Sequence, residues 1–259
     1  MSAPPRLFNR DLLRTRLNRA AAVYANADFL KRRAAEDAVV RLEAIMRDFP
    51  LAVDLGARNG AFADALALSD AKPRVGHLIE ADLSSAMLSG RAGPRLVADE
   101  ERLPFAFGSL DLVISTLSLH WTNDVVGALI QIRRALKPDG LFIGSMLGGA
   151  TLTELRQSML AAEAELTGGA GPRVSPFADA YDAAGLLQRS GFALPVADVD
   201  RVTVRYAHPL KLLADLRAMG ETSVLAERHP RQLTRQVLAR AFELYIEKFA
   251  EPDGRVPAT

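Results

Sequence analysis

Acidic residues follow three short apolar runs in the first half of the chain. Asp54 lies within Leu-Ala-Val-Asp-Leu-Gly, Asp82 follows His-Leu-Ile-Glu-Ala, and Asp99 and Glu100 follow Arg-Leu-Val-Ala. A carboxylate placed like Asp82 accepts two hydrogen bonds from a ribose diol, and the Asp99/Glu100 pair accepts from an exocyclic amine. Between Asp54 and Asp82 lies the turn Gly56-Ala57-Arg58-Asn59-Gly60. Glycine there lets backbone approach a ligand closely, and the N–H groups of a following helix face an anionic end. A ribose, an amine-bearing base and a carboxylate together describe S-adenosylmethionine. A dinucleotide would require a G-x-G-x-x-G turn, which this segment lacks. Each acid alone reads equally well as a cap or turn residue; their order and spacing carry the inference.

The elements that would position these groups alternate in type. Residues 51–56, 74–82, 94–99, 110–116 and 141–147 are predicted strands, with helices over 60–70 and 123–136. A short helix capped at Ser84 or Ser85 is expected after the second strand. The Lys137-Pro138-Asp139-Gly140 turn should end the helix before the fifth strand. Further helices are predicted over 151–166, 177–190, 208–219 and 230–249, with one or two extended stretches in 193–206. This order gives an α/β fold: a doubly wound, mostly parallel Rossmann-like sheet with helices on both faces and added terminal helices. Three segments are expected: a basic helical arm or lid (1–50), a cofactor-binding core (51–206) and a C-terminal helical segment (207–259). In such sheets ligands bind beyond the carboxyl ends of the strands. That rule selects Asp54, Gly56, Gly60, Asp82 with its neighbour Leu83, Asp99, Glu100, and the stretch from Ser115 to Trp121.

Composition narrows the function classes. The 259 residues include no cysteine, which excludes disulfides, thiolate metal sites and a cysteine nucleophile. Net charge is +1, against a wholly basic nucleic-acid binder. No apolar run is long enough to span a membrane, and the start does not read as a secretory signal. Charge is nevertheless uneven: Arg6, Arg10, Arg14, Arg16, Arg19, Lys31, Arg32 and Arg33 face only Asp11 and Asp28 in the first 33 residues. The arm is either a solvated helix face or a dock for an acidic partner, with at most peripheral membrane contact. An Arg-rich start also resembles an organellar transit peptide.

The chain resembles the class I S-adenosylmethionine-dependent methyltransferases, and within them the complex I assembly factor 5 family and its bacterial relatives. The resemblance is carried by Phe-Pro-Leu-Ala-Val-Asp-Leu-Gly-Ala-Arg-Asn-Gly (49–60), the Leu-Pro-Phe at 103–105, Leu-Ser-Leu-His-Trp (117–121), Phe-Ile-Gly-Ser-Met-Leu-Gly-Gly (142–149) and Leu-Arg-Ala-Met-Gly-Glu (216–221). It implies S-adenosylmethionine bound by Asp54, Gly56, Gly60, Asp82, Asp99 and Glu100. It also implies a protein acceptor among the subunits of respiratory complex I and, for that family, hydroxylation of an arginine. The expected compartment is the cytoplasm of a bacterium, or the matrix side in a eukaryote. A more distant resemblance is to the malonyl-carrier-protein methyltransferase of biotin synthesis. Two departures stand out. Arg58 occupies the place of the family's second glycine, where it would crowd the methionine end, point to solvent or pair with the cofactor carboxylate. The family also continues past Val256-Pro257-Ala258-Thr259 into a strand that completes the sheet.

Methyl transfer from a sulfonium depends on in-line positioning, with a base for a weak acceptor. His120, with Trp121, follows the fourth strand and is the candidate catalytic pair; a packed His–Trp pair is the plain alternative. The four histidines, His77, His120, His208 and His229, show no two-histidine-one-carboxylate spacing, so no metal site is expected. Three functions follow: a transferase or hydroxylase on a protein acceptor, a non-catalytic assembly scaffold, and a small-molecule or carrier-protein methyltransferase.

Overall fold

A computed structural model of the chain describes residues 6–177, 182–227 and 233–259. Its centre is a five-stranded sheet: β1 (Phe49–Leu55), β2 (Val75–Asp82), β3 (Arg95–Val97), β4 (Leu110–Thr116) and β5 (Leu136–Ser145). Strand order is β3-β2-β1-β4-β5 and every neighbouring pair is parallel. The chain runs outward from β1 to β3, then returns to β4 on the other side. The reversal between β1 and β4 opens a crevice at their carboxyl ends.

Both faces of the sheet are covered, which is why its strands read as continuous apolar runs. On one face α2 (Phe29–Glu43) and α3 (Ala61–Ala67) bury Leu42, Phe62 and Leu66 against Phe49, Ala52, Leu112 and Ile114. On the other, α4 (Val125–Ala135) sets Leu129 and Ile132 against Val53, Leu55 and Val113, with Leu186 and Leu187 of α6 (Ala183–Arg189) packed alongside. Side chains alternate across each strand, so neighbours such as Ala52 and Val53 enter opposite cores.

The remaining elements form two further clusters. Helices α5 (Thr153–Thr167), α7 (Pro209–Ala218) and α8 (Arg235–Phe249) pack with an antiparallel pair, β6 (Val204–Tyr206) and β7 (Val256–Ala258). Helix α1 (Arg10–Ala20), capped by the Asn9 side chain, places Leu13 and Leu17 over Leu83, Met87 and Trp121, joined by Phe8, Val224 and Leu225. It lies across the loops that follow β2 and β4.

Several expectations are corrected. Residues 85–90 form turns, not a helix; the Ser84 hydroxyl still accepts the Met87 N–H, as a cap would. Helix α4 stops at Ala135, before the Lys137–Gly140 turn, and β5 begins at once. Leu110 pairs with Leu136 and Leu112 with Leu141, so the turn becomes an irregularity inside β5, tied down by Lys137 Nζ on Asp111 at 2.9 Å. Of 193–206 only Val204–Tyr206 is strand; Leu194 and Val196 are exposed and bury no face that would hold a ladder. The helices predicted at 177–190 and 230–249 begin at Ala183 and Arg235 among the described residues, and His229 lies outside them. The segment 256–258 pairs with β6, not with the main sheet.

Leu17 is fully buried where α1 meets the strand-end loops. Leu17→Ala should lower the unfolding free energy by about 2–5 kcal/mol, read as a fall in the urea midpoint. A loss below 0.5 kcal/mol, on the order of a surface substitution, would show that α1 unfolds independently of the core.

Candidate active site

The acids expected at the strand ends converge: of the three that are buried, Asp82 and Glu100 are each held by an arginine and Asp54 is not. Asp82 ends β2 and is fully buried. Its Oδ1 accepts the Ser84 N–H at 2.8 Å, while its Oδ2 accepts both the Arg58 backbone N–H at 2.9 Å and Arg58 Nη1 at 2.8 Å. Arg58 is 1% exposed. Neither solvent exposure nor a free approach to a cofactor carboxylate describes it: the side chain folds back onto the acid read as the ribose acceptor. To do so its backbone takes the left-handed region at φ 53°, a conformation that favours glycine.

Arg10, reaching down from α1, makes the second pair. Its guanidinium donates to Asp99 at 2.6 Å, to Glu100, and to the Trp121 carbonyl at 3.2 Å. Glu100 also accepts the Ser118 hydroxyl. Burial alone would raise the Glu100 carboxyl, but the charges of Arg10 and Arg58 and the Ser118 hydrogen bond hold it below its ordinary range. A Cβ on Gly56 would overlap Ser118, and φ there is +76°. Glycine therefore lets the turn after β1 meet the loop after β4.

Lys31 of α2 locks that meeting point. Its buried Nζ donates to Gly56 O at 2.7 Å, Thr116 O at 2.7 Å and Thr116 Oγ1 at 2.6 Å, which uses all three of its N–H bonds. Burial brings its ammonium down to about 8, against the opposing pull of Asp54. Asp54 is fully buried, both of its oxygens lack a hydrogen-bond partner, and burial pushes its carboxyl up to about 6. Ser115 Oγ, Arg58 Nε, Asn59 Oδ1 and His120 Nδ1 are likewise buried without a partner. Buried polar atoms are ordinarily satisfied. So many orphaned ones at one sheet edge fit a polar ligand that carries both donors and acceptors.

His120 and Trp121 sit in a single 3-10 turn after β4, both buried. Glu221, just beyond α7, accepts Trp121 Nε1–H at 2.6 Å and lies 3.2 Å from His120 Nε2. Burial would raise Glu221, but its hydrogen bond with His120, then the charge of Arg58 and the Trp121 hydrogen bond, hold it below its usual value. Phe177 meets the His120 ring edge-on at 5.8 Å. Two residues of the expected set face elsewhere. Leu83 is committed to packing against α1. A Cβ on Gly60 would meet Arg91 and Glu80, whose side chains pair with each other.

The sequence reading did not single out Lys31, Arg10 or Glu221 as site residues, and it reached Ser118 only as part of the Ser115–Trp121 stretch. Nothing in local spacing signals these contacts, since the partners lie 18 to 111 positions away. His208 is exposed and caps α7.

A parallel sheet in this order, with acids at the ends of β1 and β2 and just past β3 and a glycine turn after β1, defines the class I methyltransferase fold. A family model described as a methyltransferase domain matches residues 53–144. Human arginine-hydroxylase NDUFAF5, mitochondrial, is 40% identical over 98% of this chain and 74% of its own length. A malonyl-[acyl-carrier protein] O-methyltransferase from Methylovorus is 32% identical over 100% of this chain and 88% of its own. Among solved structures, one from a complex with the Trm112 methyltransferase activator of Haloferax volcanii superposes with a TM-score of 0.54 at 17% identity, covering 95% of each chain. The chain belongs to the NDUFAF5 family of methyltransferase-fold proteins. S-adenosylmethionine, the cofactor read from the strand-end acids, agrees with the domain match and with the O-methyltransferase relatives.

Asp54 gives the site a measurable pH signature. Its folded value lies above its unfolded one, so between about pH 4 and 6 the folded state keeps a proton that the unfolded state has lost. Stability of the ligand-free protein should therefore fall as pH rises through that window. Asp54→Asn should flatten the fall and add on the order of 2 kcal/mol at pH 7, measured by urea unfolding at several pH values. An unchanged slope in the variant would show that Asp54 is not its source.

Proposed function

We propose that the chain is an S-adenosylmethionine-dependent enzyme acting on a protein side chain during assembly of respiratory complex I. The acceptor class follows from the NDUFAF5 relatives, whose name specifies arginine. The single observation that carries an enzymatic reading is His120. Its Nδ1 is buried and unpartnered at the end of β4, while Glu221 engages Nε2 from the other side. A carboxylate on one ring nitrogen favours the tautomer that leaves the other nitrogen bare, able to take a proton. His120 is the proposed base, and Glu221 the residue that orients it.

When bound, the cofactor supplies an electrophilic methyl group. Asp82 would hold its ribose, and Asp99 with Glu100 its base, once Arg58 and Arg10 have moved off those acids. Trp121 fixes the His120 turn through its indole hydrogen bond to Glu221 and its edge contact with Phe8, 5.3 Å between ring centroids. In the relatives' chemistry the same site would instead place an arginine for hydroxylation. The protein is expected to work in the cytoplasm of a bacterium, or beside the inner membrane in a mitochondrion; among the described residues no helix is long and apolar enough to cross a membrane.

One observation favours a second reading. With Arg58 on Asp82 and Arg10 on Glu100, the chain is a scaffold whose cofactor acids are already filled.

Intact-mass analysis of a complex I subunit incubated with the protein and S-adenosylmethionine, in parallel with and without dioxygen and an electron donor, separates these readings. A methyl gain supports transfer, one added oxygen supports hydroxylation, and an unchanged mass supports the scaffold. Where modification occurs, His120→Ala should slow it about 10²- to 10⁴-fold with cofactor affinity retained. A variant as fast as the parent would remove His120 from the chemistry.

A further inference from the structure

Two fully buried groups of opposite charge lie at the end of β1 with unused hydrogen-bonding capacity. Asp54 has two free acceptor oxygens and Arg58 has a free Nε donor. Lys31 cannot serve Asp54, because its three N–H bonds already go to Gly56 and Thr116. A ligand that satisfies both groups must offer hydrogen-bond donors to Asp54 and an acceptor to Arg58, and it gains most where these are a cation and an anion. An α-amino-acid end, with its ammonium and its carboxylate, does both; a neutral ligand gains less, and a purely anionic one lacks the donors.

Arg58 is at the same time the obstacle at the next subsite. Asp82 Oδ2 carries two N–H bonds from Arg58, one from backbone and one from side chain. The backbone bond can persist when a ribose diol arrives, since a carboxylate oxygen accepts more than one donor. The guanidinium cannot stay where the hydroxyls must go, and it does not leave a buried carboxylate unless another anion receives it. The left-handed backbone at Arg58 is a standing cost of placing an arginine here, which an idle side chain would not justify.

We propose that Arg58 is a specificity residue of the cofactor site, an exchangeable latch on Asp82 that is released by the carboxylate of the ligand's amino-acid end, with Asp54 receiving the ammonium. Recognition of the amino-acid end and opening of the ribose subsite are then one event. The site discriminates between adenosine thioethers that carry a complete amino acid and those that do not. The proposal rests on the S-adenosylmethionine reading given above.

Calorimetric titration with two probes tests it: S-adenosylhomocysteine, which has the amino-acid end, and 5′-methylthioadenosine, which lacks it. The parent should prefer S-adenosylhomocysteine by about 100-fold or more, the sum of two charge-assisted contacts. In Arg58→Gly, affinity for 5′-methylthioadenosine should rise and affinity for S-adenosylhomocysteine fall, so that the preference shrinks at least tenfold. Glycine suits the backbone at this position. Arg58→Gln, which keeps a neutral donor for Asp82, is the second variant should the glycine one not fold, and it should show the same loss of preference. A preference unchanged in a folded variant that binds either probe overturns the latch while leaving the cofactor reading intact. Binding of both probes by Arg58→Gly but of neither by the parent makes Arg58 a plain block, which overturns the proposal and favours the scaffold. If no form binds either probe, the cofactor reading fails and takes the latch with it.

Discussion

A buried ammonium holds together the two strands between which the sheet changes direction. Lys31 Nζ bonds the carbonyl after β1 and the last residue of β4 at once, and reaches them from α2. The crevice at this reversal exists only while those strand ends stay at fixed separation, and parallel pairing between β1 and β4 stops at Asp54 and Ile114. Past that point the ladder no longer sets the spacing; Lys31 does. An unpaired lysine at this depth would be expelled or neutralised, but here each N–H has an acceptor. What cannot be satisfied by the same lysine is Asp54. The geometric lock is thus obtained by leaving a carboxylate bare next to it.

The charges at the site form a chain in which each partner is committed to something exchangeable. Asp82 and Glu100 are the acids proposed to hold the nucleoside cofactor, and their present partners are side chains, Arg58 and Arg10. Buried ion pairs contribute little net stability, because desolvation offsets attraction, whereas removing one member is costly. Such pairs are poor glue and good switches: they persist until an equivalent partner arrives. The two arginines differ in what their departure would move. Arg58 lies on a short turn between Gly56 and Gly60, so its release need move no helix. Arg10 belongs to α1, whose Leu13 and Leu17 pack on Trp121 and the loop after β2, so its release is coupled to the cover over the site.

Much of this frame was legible in sequence. The strand at 51–56 stood out because burial on both faces demands an unbroken apolar run, and Asp54, Asp82, Asp99 and Glu100 followed from the boundaries of the first three strands. The short helix after Ser84 was misread because one cap signal was taken for a whole element, although the cap itself formed. Of the 193–206 segment only Val204–Tyr206 finds a partner strand; the β-branched residues before it lie on the surface, where propensity without a partner makes no ladder. Arg58 was legible as a departure from a glycine turn; its bond to Asp82 was not, since two residues 24 apart become neighbours only once β1 and β2 are paired. Glu221 was beyond reach for the same reason, on a larger scale: it meets His120 across 101 positions.

That pattern says where the individuality of this chain resides. The match to the methyltransferase domain spans residues 53–144 and holds the acids, the glycine turn, His120 and Trp121. The groups that bind, clamp or orient these side chains from outside are Arg10 and Lys31 before it and Glu221 after it. In the proposed reading the shared core holds the nucleoside thioether, while the flanking segments supply the Arg10 guanidinium on Glu100 and the carboxylate beside His120. The identity to NDUFAF5 extends over 98% of this chain, well beyond the core, so both flanks fall within the similarity. Residues that set reactivity from the flanks can change the chemistry without altering the sheet. One fold can then serve relatives named for an O-methyl transfer and relatives named for an arginine hydroxylation.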